Sequence, residues 1–114
     1  MGERLFHFVW LPTFERAAKK LLSEEDRRAI ESQLCENLES GQIMKRTGGF
    51  RKLRHARPGE GKRGGLRIVY LADERAGFVF MALVYAKGDK ATLTREEEDE
   101  LRTMAAALLS EETQ

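Results

Sequence analysis

Cations crowd the stretch from Gly48 to Tyr70. Arg51, Lys52, Arg54, Arg57, Lys62, Arg63 and Arg67 stand there among Phe50, Leu53, Leu66, Ile68 and Tyr70. Guanidinium and ammonium groups held in place by apolar neighbours form a surface suited to phosphate oxygens. On extended chain, Lys52 and Arg54 share one face and Leu53 points the other way. Leu66, Ile68 and Tyr70 likewise share one face of the next segment, and Arg67 and Val69 the other. The run Pro58-Gly59-Glu60-Gly61-Lys62-Arg63-Gly64-Gly65 between them is dense in the residues that reverse a chain. The spacing predicts a β-hairpin with basic side chains along it.

Other chemistries find less support. His7 lies between apolar neighbours, and no second ligand stands at metal spacing from it. Glu96 to Glu100 splay around the start of a helix, where the backbone dipole favours acids. Cys35 neighbours Leu34 and Glu36; an adjacent acid disfavours a thiolate, so it reads as a packing residue.

The formal net charge of +1 hides an asymmetry: residues 45–90 carry +8, residues 1–44 carry −2 and residues 91–114 carry −5. A basic middle between acidic flanks suggests an anionic partner, although a solvated sheet face gives the same signal. At 114 residues the chain fits one domain, 1–114, and 41% apolar content suffices for a modest core. The single cysteine excludes an internal disulfide and fits a reducing, cytoplasmic setting. No apolar run reaches the roughly 18 residues of a membrane span. The apolar run 5–11 is interrupted by His7 and followed by no small-residue cleavage pattern, so no secretory signal is expected.

The positioning elements follow from periodicity. Arg4 to Trp10 is aromatic and β-branched and reads as a first strand. Pro12 suits the first turn of a helix whose buried stripe is Phe14, Ala17, Ala18, Leu21 and Leu22. Ser23 with Asp26 resembles a capping box. Ile30, Leu34 and Leu38 continue a second helix, with Gly41 as its candidate C-cap. Asp73 to Gly77 turns the chain between the segment 66–70 and the apolar run 78–85, which reads as a central strand buried on both faces. Thr94 and Glu97 cap a last helix with Leu101, Met104, Ala105 and Leu108 inward. The predicted architecture is α+β: a small antiparallel sheet, helices on one face, in the order β-α-α-β-β-β-α. The other face is expected to carry Lys52, Arg54 and Arg67.

The run Gly48-Gly49-Phe50-Arg51-Lys52-Leu53-Arg54, the loop Gly61-Lys62-Arg63-Gly64-Gly65, the segment Leu66-Arg67-Ile68-Val69-Tyr70 and the strand end Tyr85-Ala86-Lys87 together resemble the RelE/HigB toxins of bacterial type II toxin–antitoxin systems, most closely the HigB-like branch. The resemblance spans the whole chain in element order and the segment 48–87 in motif. It implies a RelE-like (microbial RNase-like) fold and ribosome-dependent, metal-free mRNA cleavage without a cofactor. It also implies a cognate helix-turn-helix (HigA-like) antitoxin, and contact with operator DNA only through the antitoxin complex. The ribosome and mRNA are then the working partners, with no membrane involved.

Such cleavage needs a base for the 2′-hydroxyl, cations on the phosphate oxygens and an acid for the leaving oxygen. Carried over by motif, Arg67 stabilises the phosphate, Lys52 is the candidate base, Arg54 is a phosphate ligand and Lys87 is the basic residue ending the last strand. Arg51, Arg57, Lys62 and Arg63 are expected on the RNA backbone. The chain departs from the family in having neither tyrosine nor histidine in residues 88–114, and Gly88 where some members have a second cation. The acid is therefore unassigned. Alternation puts His55 on the wrong face, and Tyr70 and Tyr85 read as core or rim residues. Two other functions stay open: a ParE-like inhibitor of DNA gyrase, and a catalytically decayed RNA-binding module of the same fold.

Overall fold

The computed structural model describes residues 5–56, 65–86, 88 and 93–111. Its elements are β1 (His7–Trp10), α1 (Pro12–Leu21), α2 (Glu24–Glu36), β2 (Gln42–Ile43), β3 (Arg51–His55), β4 (Leu66–Asp73), β5 (Phe78–Ala86) and α3 (Arg95–Glu111). The α+β class and the order of the long elements match the sequence reading. Two features of the sheet do not. The five strands run β1-β5-β4-β3-β2, and β1 lies parallel to β5, with His7 opposite Phe78 and Trp10 opposite Met81. The sheet is therefore mixed, not antiparallel, because the α1–α2 excursion returns the chain to the far edge, and β1 meets β5 in the same direction. The edge strand β2 has only two residues and carries no periodicity to read.

The helices also divide between the faces, where the sequence placed them on one. Phe14, Ala18, Ile30 and Leu34 of α1 and α2 pack with Leu53, Ile68, Tyr70, Val79 and Met81. Leu101 and Ala105 of α3 pack on the opposite face with Phe50, Val69, Leu71, Phe80 and Ala82. The central strands β4 and β5 are apolar on both faces, so one helical layer cannot cover them.

Local chemistry fixes the elements. Pro12 opens α1. At α2, the Asp26 N–H donates to Ser23 Oγ at 3.0 Å and the Ser23 N–H donates to Asp26 Oδ2 at 2.9 Å, completing the capping box. Thr94 and Glu97 exchange equivalent bonds of 2.8 and 3.1 Å at α3. The second helix stops at Glu36, with Asn37 as its C-cap, not at Gly41. Gly41 serves the sheet instead. A Cβ there would lie 2.9 Å from both the Lys52 carbonyl oxygen and the Tyr70 ring, so only glycine fits. The buried Tyr70 hydroxyl accepts from the Gly41 N–H at 2.9 Å and donates to the Leu38 carbonyl at 2.7 Å, tying the loop after α2 to the sheet. Gly48 sits at φ +79, and a Cβ there would approach the Ala105 Cβ to 2.8 Å, so this loop lies flush on α3.

A bulge in β5 sets the face of the residues that follow it. Val69 opposes Leu83 but Tyr70 opposes Met81, which leaves Ala82 as the extra residue. Its carbonyl accepts from the Thr13 hydroxyl at 2.7 Å, so α1 holds the bulge in place. The inserted residue reverses the alternation, as bulges do. Met81 faces α1 and α2, yet Leu83 and Tyr85 pack on the α3 face.

Asp26 couples α2 to β3. The His55 ring donates from Nε2 to Asp26 Oδ1 across 3.0 Å, and both side chains are about nine-tenths buried. Burial works against the Asp26 carboxylate, but the bonds from Ser23 and His55 outweigh it and hold its pKa below the ordinary value of 3.8. A depressed carboxylate pKa contributes stability that is present above the unfolded value and lost as pH falls through the folded one. Asp26→Asn is therefore expected to lose about 1–2 kcal/mol near pH 7. The gap to wild type should shrink as pH drops below about 4, read from urea midpoints; a gap independent of pH would refute the charged role of Asp26. Tyr70→Phe should cost about 1–2 kcal/mol in the same assay, because it leaves a buried amide N–H and a carbonyl without their shared partner.

Candidate phosphate-binding site

Antiparallel pairing of β3 with β4 brings the predicted cations together. Arg54 lies directly opposite Arg67, and Lys52 opposite Val69 on one side and Gln42 on the other. Leu53 and Ile68, one residue along, point into the core with α1 and α2. The cations consequently project from the face that α3 partly covers. Beyond the end of that helix layer they line a concavity of about 560 Å³ with Ser40 and Gln42. Lys52 and Arg67 are half-buried and Arg54 is exposed. Stems held by neighbours and heads left in water suit cations that meet a polyanion.

No described carboxylate comes within ion-pairing distance of Lys52, Arg54 or Arg67. Among the described residues, the Arg67 guanidinium makes only a long 3.5 Å contact to the Leu66 carbonyl. Three like charges on adjacent strands repel one another, and among the described residues no carboxylate neutralises them. A phosphate brought into the concavity relieves both deficits. The guanidinium fork of Arg67 can take two oxygens of one phosphate, and Lys52 and Arg54 reach the same space from the neighbouring strand.

The remaining expectations divide. Arg51 lies on the other face of β3. It donates to the Gly41 carbonyl at 2.8 Å and meets Glu39 at 3.9 Å, so it braces the β2 edge and does not join the concavity. Alternation sends residue 51 away from residues 52 and 54, so any contact of Arg51 with RNA backbone would be made from the other face of the sheet. Arg57, Lys62, Arg63 and Lys87 lie outside the described residues. His55 is on the helix-hairpin face, paired with Asp26, as alternation required.

Three residues near the cations carry no signal in the sequence that places them there. Ser40 and Gln42 come from the loop after α2 and from the two-residue edge strand, neither of which has a periodic signature. Tyr85 stands directly opposite Arg67, extending one cross-strand row Arg54–Arg67–Tyr85. Simple alternation from Met81 assigns Tyr85 to the other face; the bulge at Ala82 re-aims it. A bulge is a tertiary feature here, held by Thr13, and leaves no local mark in the apolar run 78–85.

Comparison with known proteins adds an independent line. A family model described as the RelE toxin of the RelE/RelB toxin–antitoxin system matches residues 4–114. Among solved structures, a mutant of the E. coli toxin RelE in the free state superposes with a TM-score of 0.53 at 15% identity, covering 75% of this chain and 87% of that one. At that identity the superposition speaks for a shared fold.

Single-stranded oligonucleotide binding should show a steep salt dependence. Arg67→Ala is expected to weaken it and to reduce the slope of log K against log salt by about 0.7, the share of one phosphate contact. Fluorescence anisotropy across a salt series measures this; an unchanged slope would remove Arg67 from the phosphate site.

Proposed function

The chain belongs to the RelE toxin family of toxin–antitoxin systems, and from that premise we propose that it is a ribosome-dependent, metal-independent mRNA endonuclease that halts translation. The observation that carries this reading is the concavity in which Lys52, Arg54 and Arg67 converge with no carboxylate among its described lining residues. A protein that acts on a phosphodiester needs such a cage. One that inhibits a protein target does not, which sets the ParE-like reading second.

In the proposed reaction, Lys52 removes the proton from the 2′-hydroxyl of the residue in the concavity. The resulting oxygen attacks its own 3′-phosphorus, and the bond to the 5′-oxygen of the next residue breaks. The products are a 2′,3′-cyclic phosphate and a free 5′-hydroxyl. Arg67 and Arg54 hold the non-bridging oxygens, whose negative charge grows in the transition state. A proton must reach the leaving 5′-oxygen as that bond breaks. Lys87 remains a proposed contributor at the end of β5. Arg57, Lys62 and Arg63 remain proposed contacts to RNA backbone.

The family implies a cognate antitoxin. We take it to be a helix-turn-helix protein through which the pair reaches operator DNA, and we place the activity in the cytoplasm. No helix among the described residues is long and apolar enough to cross a membrane.

Induction of the chain alone tests the reading. Wild type should arrest growth and generate new 5′ ends within translated messages, while folded Arg67→Ala and Lys52→Ala should cut about 10²–10³ fold more slowly on programmed ribosomes. Arrest without new ends, together with inhibition of DNA gyrase supercoiling by the purified protein, would replace the nuclease with the ParE-like reading. Normal growth on induction would leave the decayed binding module.

A further inference from the structure

The face opposite the cations carries a second recess. A trough of about 820 Å³ runs between β1 and α2, floored by Phe6, Phe8 and Trp10. A smaller recess of about 320 Å³ continues it and shares Phe6, Cys35 and Glu36 with it. Its rim is acidic: Glu31 and Glu36 line the trough, and Glu39 and Glu74 line the continuation. No lysine or arginine is among the described lining residues of either recess. Glu39 reaches Arg51 only at 3.9 Å and stays largely exposed.

Glu36 sits where the fold does not favour an acid. Glu36 occupies the last turn of α2, which has no basic residue. The C-terminal end of a helix is the negative end of its dipole, so a carboxylate there is locally unfavourable and a cation favourable. The helix end and the carboxylates of Glu31 and Glu36 therefore add to one negative potential over an aromatic floor. At the far end of the trough a cation has already taken such a place: the Arg27 guanidinium lies 4.9 Å from the centroid of the Trp10 ring and is also paired with Glu15. Leu5, which also lines the trough, is 81% exposed.

We propose that this trough docks a cationic segment of another polypeptide, one whose lysine or arginine residues meet Glu31, Glu36 and Glu39 and whose apolar side chains lie on Phe6, Phe8 and Trp10. The occupant follows from charge complementarity. An acidic segment or a nucleic acid would be repelled by the rim, and a purely apolar one would leave the helix end and its carboxylates uncompensated. The surface is separate from the concavity of Lys52, Arg54 and Arg67, which lies on the other face of the sheet. It lets the protein engage an anion and a cationic protein segment together, and it does not depend on the nuclease reading.

The single tryptophan lies in the trough and reports on it directly. The full chain is titrated with a synthetic peptide of about ten residues alternating lysine with leucine and valine, and with the same peptide carrying glutamate for lysine. The basic peptide should shift Trp10 emission to shorter wavelength saturably, with a Kd of about 10–100 μM. The acidic peptide should leave the emission unchanged. Glu31→Lys with Glu36→Lys should weaken binding at least about tenfold. Glu31→Gln with Glu36→Gln serves in its place if the reversal unfolds. The proposal fails if no saturable shift occurs, if the acidic peptide binds as well, or if the charge variants bind the basic peptide with unchanged affinity.

Discussion

Burial of β4 and β5 on both faces is the constraint on which the rest of this molecule depends. Ile68, Tyr70, Val79 and Met81 must be covered on one side, and Val69, Leu71, Phe80 and Ala82 on the other. The first requirement fixes α1 and α2, and the second fixes α3. The helices differ in how much they cover. The helical hairpin extends over the sheet from β1 to β3, whereas α3 covers the part of its face built on Leu71, Phe80 and Ala82. Among the described residues, no helix covers the Arg67 end of the same β4 face. The site is thus the part of a buried surface that the last helix does not reach.

That origin explains how like charges can be held so close. Arg54 and Arg67 are direct cross-strand partners, an arrangement that disfavours the sheet by their mutual repulsion. The pairing survives because Leu53 and Ile68, the adjacent cross-strand pair on the other face, are fully committed to the core. The Asp26–His55 contact and the Tyr70 bridge to Gly41 and Leu38 then fix β3 and the edge loop in register. A slip of one residue would carry Lys52 and Arg54 into the apolar core and Leu53 out of it. The unfavourable electrostatics of the concavity are offset by packing on the face behind it, and are relieved when an anion enters.

The two faces also differ in sign. Cations converge near the β3 edge, and carboxylates with the end of α2 surround the aromatic trough beside β1. The net charge of +1 conceals this separation. A sheet whose edges and faces carry opposite potentials orients itself toward charged partners before contact.

Much of this was determined by the sequence alone. The hairpin with Lys52, Arg54 and Arg67 on one face and the exclusion of His55 follow from the two-residue period of a strand, the two capping boxes from residue types three apart, and the central position of the run 78–85 from its unbroken apolar character, all of them local properties of the chain. The motifs of the segment 48–87 also carried the family. Tertiary structure decided what local periodicity does not encode. It set the parallel entry of β1, because strand direction depends on where the α1–α2 excursion returns. It split the helices between two faces, because coverage depends on the whole sheet. It turned Tyr85 toward Arg67, because the Thr13 hydroxyl holds the bulge at Ala82 across 69 residues of sequence. It took Arg51 out of the site and brought Ser40 and Gln42 into it, because an edge strand of two residues is defined by its neighbours and not by its own pattern.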